Sequence, residues 1–148
     1  MKGGGHSYLG ASNAPDSLLL WTRKMNAVTV HDAFTPQGVT VPAVSAVSAG
    51  PGCIWLELYR AVTGGASRYV QGGGCTTVGV AGLVQGGGFG SFSKRYGLVA
   101  ARLLEAEIVT ADGKTGFDTA TDSIKSATSV DANGPSSERR PQTPKAPW

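Results

Sequence analysis

Glycine clustering between Gly72 and Gly90 is the feature that most restricts how this chain folds. Nine glycines fall in that stretch, and the chain has 22 glycines in 148 residues, about double the usual share of roughly 7%. Glycine loses more backbone entropy on folding than any other residue, so this density needs a structural reason. Close approach of the backbone to a ligand supplies one. Collagen is excluded, because the glycines follow no three-residue period.

A second glycine run, Gly3-Gly4-Gly5, precedes His6 near the start of the chain. Successive backbone N–H groups in such runs form concave nests for phosphate oxygens, and two nests suit a pyrophosphate held from two sides. Flexible linkers are the alternative, but linkers lack the interleaved apolar residues found here at Val78, Val80 and Leu83. The runs match neither a Rossmann fingerprint nor a P-loop.

Hydrophobic periodicity predicts a chain of mixed α and β structure. We expect strands over residues 17–21, 27–31, 39–49, 67–71 and 103–110, with Pro42 marking an edge or a bulge, and a turn over 111–113. Residues 53–62 have apolar side chains at helical spacing, and Gly64-Gly65 provides the stop. Cys53, Trp21, Trp55 and Tyr59 are expected in the core, and His31 on a strand surface.

Charge and composition narrow the function classes and mark a boundary near residue 114. The formal net charge of +3 comes from scattered basic residues, a pattern that favours a solvated surface over a nucleic-acid footprint. No apolar run approaches the ~20 residues that a membrane span needs. Two cysteines make neither a disulfide framework nor a zinc site. Residues 115–148 are rich in Ser, Thr, Pro and Asp, and we expect disorder there, after a domain over 1–114.

Two motifs together resemble a known family. Residues 2–10, KGGGHSYLG, resemble the histidine-bearing flavin loop of the vanillyl-alcohol oxidase and p-cresol methylhydroxylase superfamily, particularly its berberine-bridge-enzyme-like branch. Residues 74–90 resemble that branch's second flavin motif, and residues 93–98 and 107–113 continue the match. The resemblance implies an α+β fold, namely a partial PCMH-type FAD-binding domain of mixed sheets with flanking helices, followed by the disordered tail.

The resemblance also implies which residues hold FAD. In family members with both residues, the histidine attaches to the flavin 8α-methyl and the cysteine to flavin C6, roles that fall on His6 and Cys75. The alternative for His6 is a loop histidine that hydrogen-bonds its own backbone. The alternative for Cys75 is a small, buried hydrophobic residue. Thr76 departs from the proline that is common in the family. The positions implied for the cofactor are Gly3, Gly4, Gly5, His6, Ser7, Gly10, Gly74, Cys75, Thr76, Val78, Gly79, Gly82, Gly86, Gly87, Gly88, Gly90, Tyr96, Gly97 and Val109.

The function implied is that of an FAD-dependent oxidoreductase. A small-molecule substrate, an alcohol or a sugar, would pass hydride from a C–H bond to flavin N5, and dioxygen would reoxidise the flavin. The family's preceding strand and helix and its following substrate domain have no counterpart in this sequence, so we expect a fragment that is unstable without FAD or the remainder, and no catalytic residue is assigned. The alternatives are a truncated remnant without turnover and a flavin-free phosphate-binding module.

Overall fold

The fold is described here from a computed structural model, which describes residues 1–119. Along the chain, one antiparallel hairpin precedes a run of short helices and a second one follows it. In chain order the elements are β1 (Val28–Phe34), β2 (Val44–Ala49), α1 (Trp55–Tyr59) with a π-helical turn (Arg60–Gly65), α2 (Val80–Gln85), α3 (Ser93–Tyr96), a 3-10 turn (Ala100–Arg102), β3 (Glu105–Val109) and β4 (Thr115–Thr119).

The core forms on one face of α1 and its π-helical continuation. Trp55, Leu58 and Val62 are three and four residues apart, a spacing that places them on one side of a helix, and each is at most 2% exposed. Cys53 and Val80 join this cluster, and the inward valines of β1 and β2 pack against it. Trp55 also stacks at 5.4 Å, ring centroid to centroid, on half-buried Tyr59. The expectation of core positions for Cys53, Trp55 and Tyr59 is therefore confirmed.

The α-helix begins at Trp55, two residues later than predicted, because the preceding residues pair with another segment. Ile54 forms an antiparallel bridge with Gly79, and the Val80 N–H donates to the Cys53 carbonyl at 2.9 Å. Glu57 accepts the Ile54 N–H at 3.1 Å and pairs with Arg23 at 2.9 Å. The helical stretch then ends at Gly65, where the Gly-Gly stop was expected.

The strand predictions succeed in two places and fail in two. β1 and β3 lie where expected, whereas β2 starts only at Val44, after Pro42, which has no N–H to donate to a sheet. Residues 67–71 form no strand; Tyr69 alone has a bridge. The strand at 17–21 is wrong: Trp21 makes one parallel bridge with Lys2 and is 58% exposed, while Leu18 is 95% exposed. Trp21 is therefore not core, because nothing in residues 1–119 covers this apolar run.

Sheet type and the tail boundary also need correction. Within residues 1–119 both sheets are two-stranded and antiparallel rather than mixed. The residues from Thr115 to Thr119, expected to be disordered, form β4 opposite β3, with Val109 paired to Thr115, because the predicted turn at 111–113 reverses the chain. The rest of the expected tail lies outside the described residues. None of the helices described has the length and hydropathy of a membrane span.

Candidate functional site

The two glycine runs meet backbone to backbone. A Cβ atom at Gly4 would lie 2.5 Å from the Gly79 nitrogen and 2.7 Å from the Thr77 carbonyl oxygen, and one at Gly79 would lie 2.8 Å from the Gly4 nitrogen. Glycine is required at both positions, because any side chain would push the loops apart. The first loop is held from behind by Trp21, whose indole N–H donates to the Gly3 carbonyl at 3.2 Å.

The second loop rests on the start of α1. The first N–H groups of a helix have no acceptor within the helix. Here the Trp55 N–H donates to the Val78 carbonyl at 3.1 Å, and the Leu56 N–H donates to the Thr76 carbonyl at 2.8 Å. The carbonyl groups of Thr76 and Val78 therefore face the helix and accept its hydrogen bonds.

Several N–H groups of both loops remain without an acceptor. Among the described residues, nothing accepts a hydrogen bond from the backbone N–H of Gly4, Gly5, His6, Gly74 or Cys75. His6 and the stretch 74–77 are also exposed. Exposed N–H groups in consecutive residues can form anion-binding nests, and the two loops supply them from adjacent surfaces.

A threonine hydroxyl joins the two predicted attachment residues. Thr77 Oγ1 lies 3.0 Å from His6 Nε2 and 3.5 Å from Cys75 Sγ. His6 and Thr77 are 71 positions apart in the sequence, so only the packing of Gly4 against Gly79 brings them together. The residues predicted from the sequence to bind the cofactor include Cys75, Thr76 and Val78 but not Thr77. The position of Thr77 inside the same motif, between Gly74 and Gly79, could have indicated it.

The hydrogen bonds around Cys75 favour its ionised form. The Thr77 hydroxyl and then the Thr77 N–H hold the pKa of the Cys75 thiol below its ordinary value, and the Val78 N–H acts in the same direction. Cys53 is the opposite case, because burial raises the pKa of its thiol to about 11. The thiolate is the nucleophilic form of cysteine. The geometry therefore makes Cys75 the reactive thiol and Cys53 an inert one.

The predicted glycines divide into packed and open positions. A Cβ at Gly88 would lie 2.9 Å from the Val99 Cβ, and one at Gly90 would lie 2.1 Å from the Gly72 carbonyl oxygen. Internal packing accounts for these glycines without a ligand. At Gly74 and Gly82, by contrast, an added Cβ would have no atom of the chain within 4 Å. Gly74 directly precedes Cys75, and Gly82 lies on α2. A ligand could approach the backbone closely at both positions.

Other predicted site residues lie apart from this cluster. Tyr96 belongs to an aromatic cluster with Tyr69 and Phe92, with centroids 4.9 Å and 6.2 Å from its own. Val109 ends β3 and is 71% exposed. No hydrogen bond or ring contact in the described part of the chain links either residue to His6, Thr77 or Cys75. A cavity of about 210 Å³ is lined by Tyr59, Tyr69, Phe92 and the segment 72–74, and Tyr96 does not line it.

Paired glycine loops that present bare N–H groups beside an imidazole and a thiol have the chemistry to bind a phosphate-bearing group. The described residues contain no group of three His, Cys, Asp or Glu side chains arranged to hold a metal ion. The profile of a family described as "FAD binding domain" matches residues 1–116, and the chain belongs to that family.

Similar proteins are flavoproteins. An FAD-linked oxidoreductase of Aspergillus flavipes is 39% identical over 114 residues, which are 77% of this chain and 19% of that protein. The crystal structure of a VAO-type flavoprotein from Myceliophthora thermophila matches with a TM-score of 0.73 and 33% identity, over 80% of this chain and 21% of that one. The resemblance to this superfamily is confirmed. The chain spans about a fifth of the length of the curated relatives it matches.

One similar structure concerns a doubly attached flavin. The structure of glucooligosaccharide oxidase from Acremonium strictum has a TM-score of 0.67 and 26% identity, over 80% of this chain and 23% of that one. It is described by its 6-S-cysteinyl, 8α-N1-histidyl FAD.

Proposed function

We propose that this chain binds FAD on the exposed surface formed jointly by the Gly3–Ser7 loop and the Gly74–Gly79 loop, as part of an FAD-dependent oxidoreductase. One observation carries the proposal: the loops pack backbone to backbone and bring an imidazole and a thiol to the same hydroxyl. Packing alone does not require two exposed nucleophiles at this junction.

The unpaired N–H groups bind the pyrophosphate, and the open glycines let it approach. Gly4 and Gly5 donate from the first loop, and Gly74 and Cys75 donate from the second. Such donors are already oriented before the ligand arrives, so little ordering entropy is lost on binding. Gly82 extends the open surface onto α2, and Gly86 is exposed at the end of that helix. The remaining predicted contacts, at Gly10, Gly87, Gly88, Gly90, Tyr96, Gly97 and Val109, stay predictions.

We further propose that both nucleophiles attach to the flavin. His6 would bond to the 8α-methyl carbon and Cys75 to ring carbon C6. These are the two attachments named for the FAD of the similar glucooligosaccharide oxidase. Each attachment would form one bond, with loss of one proton from the side chain and one from the flavin carbon that is bonded, which is the 8α-methyl carbon for His6 and C6 for Cys75. The two electrons released in each attachment would pass to dioxygen, which becomes hydrogen peroxide with both protons. Two tethers fix the ring against the Thr77 loop and make it a stronger oxidant.

In the complete protein, FAD supplies the acceptor for hydride from a substrate C–H bond, with dioxygen as the final oxidant. The substrate class is an alcohol or a sugar. The second candidate is a flavin-binding chain without turnover. Reduction of the bound flavin by added alcohols or sugars distinguishes the two.

The test is a flavin-binding assay on the full 148-residue chain. The purified chain is incubated with FAD in air, its absorption spectrum is recorded, and it is precipitated with acid. Trypsin cuts between His6 and Cys75 at Arg23, Arg68 and other basic residues, so only the flavin can join their two peptides. We expect flavin bands in the native chain, retained flavin in the precipitate, and one cross-linked product with the mass of both peptides plus the flavin.

Variants assign each bond. His6→Ala should keep the flavin on the Cys75 peptide only, and Cys75→Ala should keep it on the His6 peptide only. His31→Ala is the matched control, because His31 lies on β1 and bonds to Ser48, away from the loops. Absence of flavin bands overturns FAD binding, whereas bands that disappear completely from the precipitate overturn attachment alone.

A further inference from the structure

We infer that Thr77 is the positioning residue that prepares both nucleophiles at once: its single hydroxyl holds Cys75 as a hydrogen-bond acceptor and holds His6 in the tautomer with a free Nδ1 lone pair. This inference rests on the proposed attachment of FAD through these two side chains. It adds a third residue to the site, which the sequence motifs did not assign.

The hydroxyl, the imidazole and the thiol share a limited number of protons. A hydroxyl has one proton to donate and two lone pairs to accept with. If Thr77 donates to Cys75 Sγ, it accepts from His6 Nε2–H, which leaves the Nδ1 lone pair free. If Thr77 donates to Nε2 instead, Cys75 keeps its proton and Nδ1 carries the imidazole proton. The first arrangement leaves both nucleophiles ready, and the second leaves neither.

The surroundings of the sulfur select the first arrangement. The sulfur lies 3.5 Å from the Thr77 hydroxyl oxygen, and the Val78 N–H donates to the Cys75 carbonyl oxygen at 3.4 Å. The Thr77 hydroxyl, followed by the Thr77 N–H, holds the pKa of the Cys75 thiol below its ordinary value, as expected for a sulfur that accepts the hydroxyl proton. No charged side chain contributes to this environment; His6 is the titratable group that faces Cys75 from the other loop, through Thr77. His6 Nδ1 has no partner among the described residues, so it is the nitrogen available for bonding.

The loop fixes Thr77 from both sides. The carbonyls of its neighbours Thr76 and Val78 accept from the first turn of α1 at 2.8 Å and 3.1 Å. Its own carbonyl lies where only a glycine fits, against Gly4. The hydroxyl is therefore held at the junction of the loops by backbone contacts that a substitution of its side chain leaves in place.

The first measurement is the rate at which iodoacetamide alkylates Cys75 in the full chain, from pH 6 to pH 10, followed on its tryptic peptide. Thr77→Val should move the midpoint of the profile to higher pH and slow alkylation at pH 7 by about three- to tenfold, since a hydrogen bond to the thiolate is lost. Thr77→Ser retains the hydroxyl and should keep the wild-type profile. Thr29→Val is the control, because it makes the same substitution at an exposed position of β1.

Cys53 reports folding in the same samples. Its thiol is fully buried, so its peptide should stay unlabelled while the chain is folded. A Thr77→Val profile equal to that of the wild type, with Cys53 protected, overturns the inference. If Thr77→Val exposes Cys53, the variant is not folded, and nitrogen-15 NMR of the wild-type chain provides the test instead. A proton on Nε2 of His6 supports the inference, and a proton on Nδ1 overturns it.

Incubation with FAD separates this inference from the proposal beneath it. We expect Thr77→Val to slow the appearance of the product in which flavin joins the His6 and Cys75 peptides, and Thr77→Ser to restore its rate. Equal rates in all variants overturn the role of Thr77 but leave attachment intact. Absence of flavin mass in the wild type overturns attachment, while the alkylation profile and the tautomer still decide how Thr77 orients the two side chains.

Discussion

Cys53 and Cys75 lie on segments that touch at the Ile54–Gly79 bridge, yet the structure gives the two thiols opposite surroundings. Cys53 is buried among Trp55, Val62 and their neighbours, and burial raises the pKa of its thiol to about 11. Cys75 is exposed, and hydrogen-bond donors hold its pKa below the ordinary value.

The difference shows how the chain separates its core from its site. The Cys53 region is built from large side chains that exclude water, which makes a thiol inert. The Cys75 region is built from backbone, because glycines remove side chains and leave N–H groups facing outward. The sulfur of Cys75 lies beside hydrogen-bond donors, whereas that of Cys53 is surrounded by apolar carbon atoms. Hydrogen-bond donors favour the thiolate, which is the charged and nucleophilic form of cysteine.

The strongest test of this comparison is the removal of a large core side chain. Trp55→Ala should destabilise the chain by about 3–5 kcal/mol, because it leaves a cavity where an indole was almost completely buried. Tyr8→Ala, which removes a fully exposed ring, should change stability by less than about 0.5 kcal/mol. Urea unfolding at one fixed FAD concentration compares them, and similar midpoints for the two variants would show that the core is not centred on α1.

Alkaline pH should weaken the Cys53 region selectively. The thiol of Cys53 has a pKa of about 11 in the folded chain against 9.0 when unperturbed, so the unfolded state ionises first. Its stabilising contribution is complete below pH 9 and is lost as pH rises through 11, up to roughly 2–3 kcal/mol. Urea unfolding at pH 8 to 11 measures the loss. Cys53→Ala should reduce it and Cys75→Ala should not; an unchanged alkaline loss in Cys53→Ala contradicts the assignment.

Two glycines should respond oppositely to alanine. Gly88 has a φ of 63° and no room beside Val99, so Gly88→Ala should destabilise the chain by about 1–2 kcal/mol. Gly82 lies in α2 with open space beside it, so Gly82→Ala should stabilise the chain by about 0.5–1 kcal/mol. Urea unfolding measures both. If Gly82 faces FAD, the same variant also weakens FAD binding in a fluorescence titration, and unchanged affinity removes Gly82 from the site.

Sequence reasoning reached the parts of the fold that local pattern encodes. The helical face with Trp55, the strands β1 and β3, and the turn at 111–113 follow from the order of apolar and turn residues within each segment. It failed where the outcome depended on a distant partner. The run 17–21 has the composition of a buried strand but no element in residues 1–119 to pack against, and β4 exists only because β3 pairs with it.

The same division applies to the site. The sequence by itself determined that glycine runs flank a histidine and a cysteine, because motif spacing is a property of neighbours along the chain. Only the tertiary structure decided that Gly4 packs on Gly79, that Thr77 lies between the two nucleophiles, and that Gly88 is packed while Gly82 is open. The physical reason is that a hydrogen bond across 71 positions depends on how two loops pack, and the residues within each loop do not specify that packing.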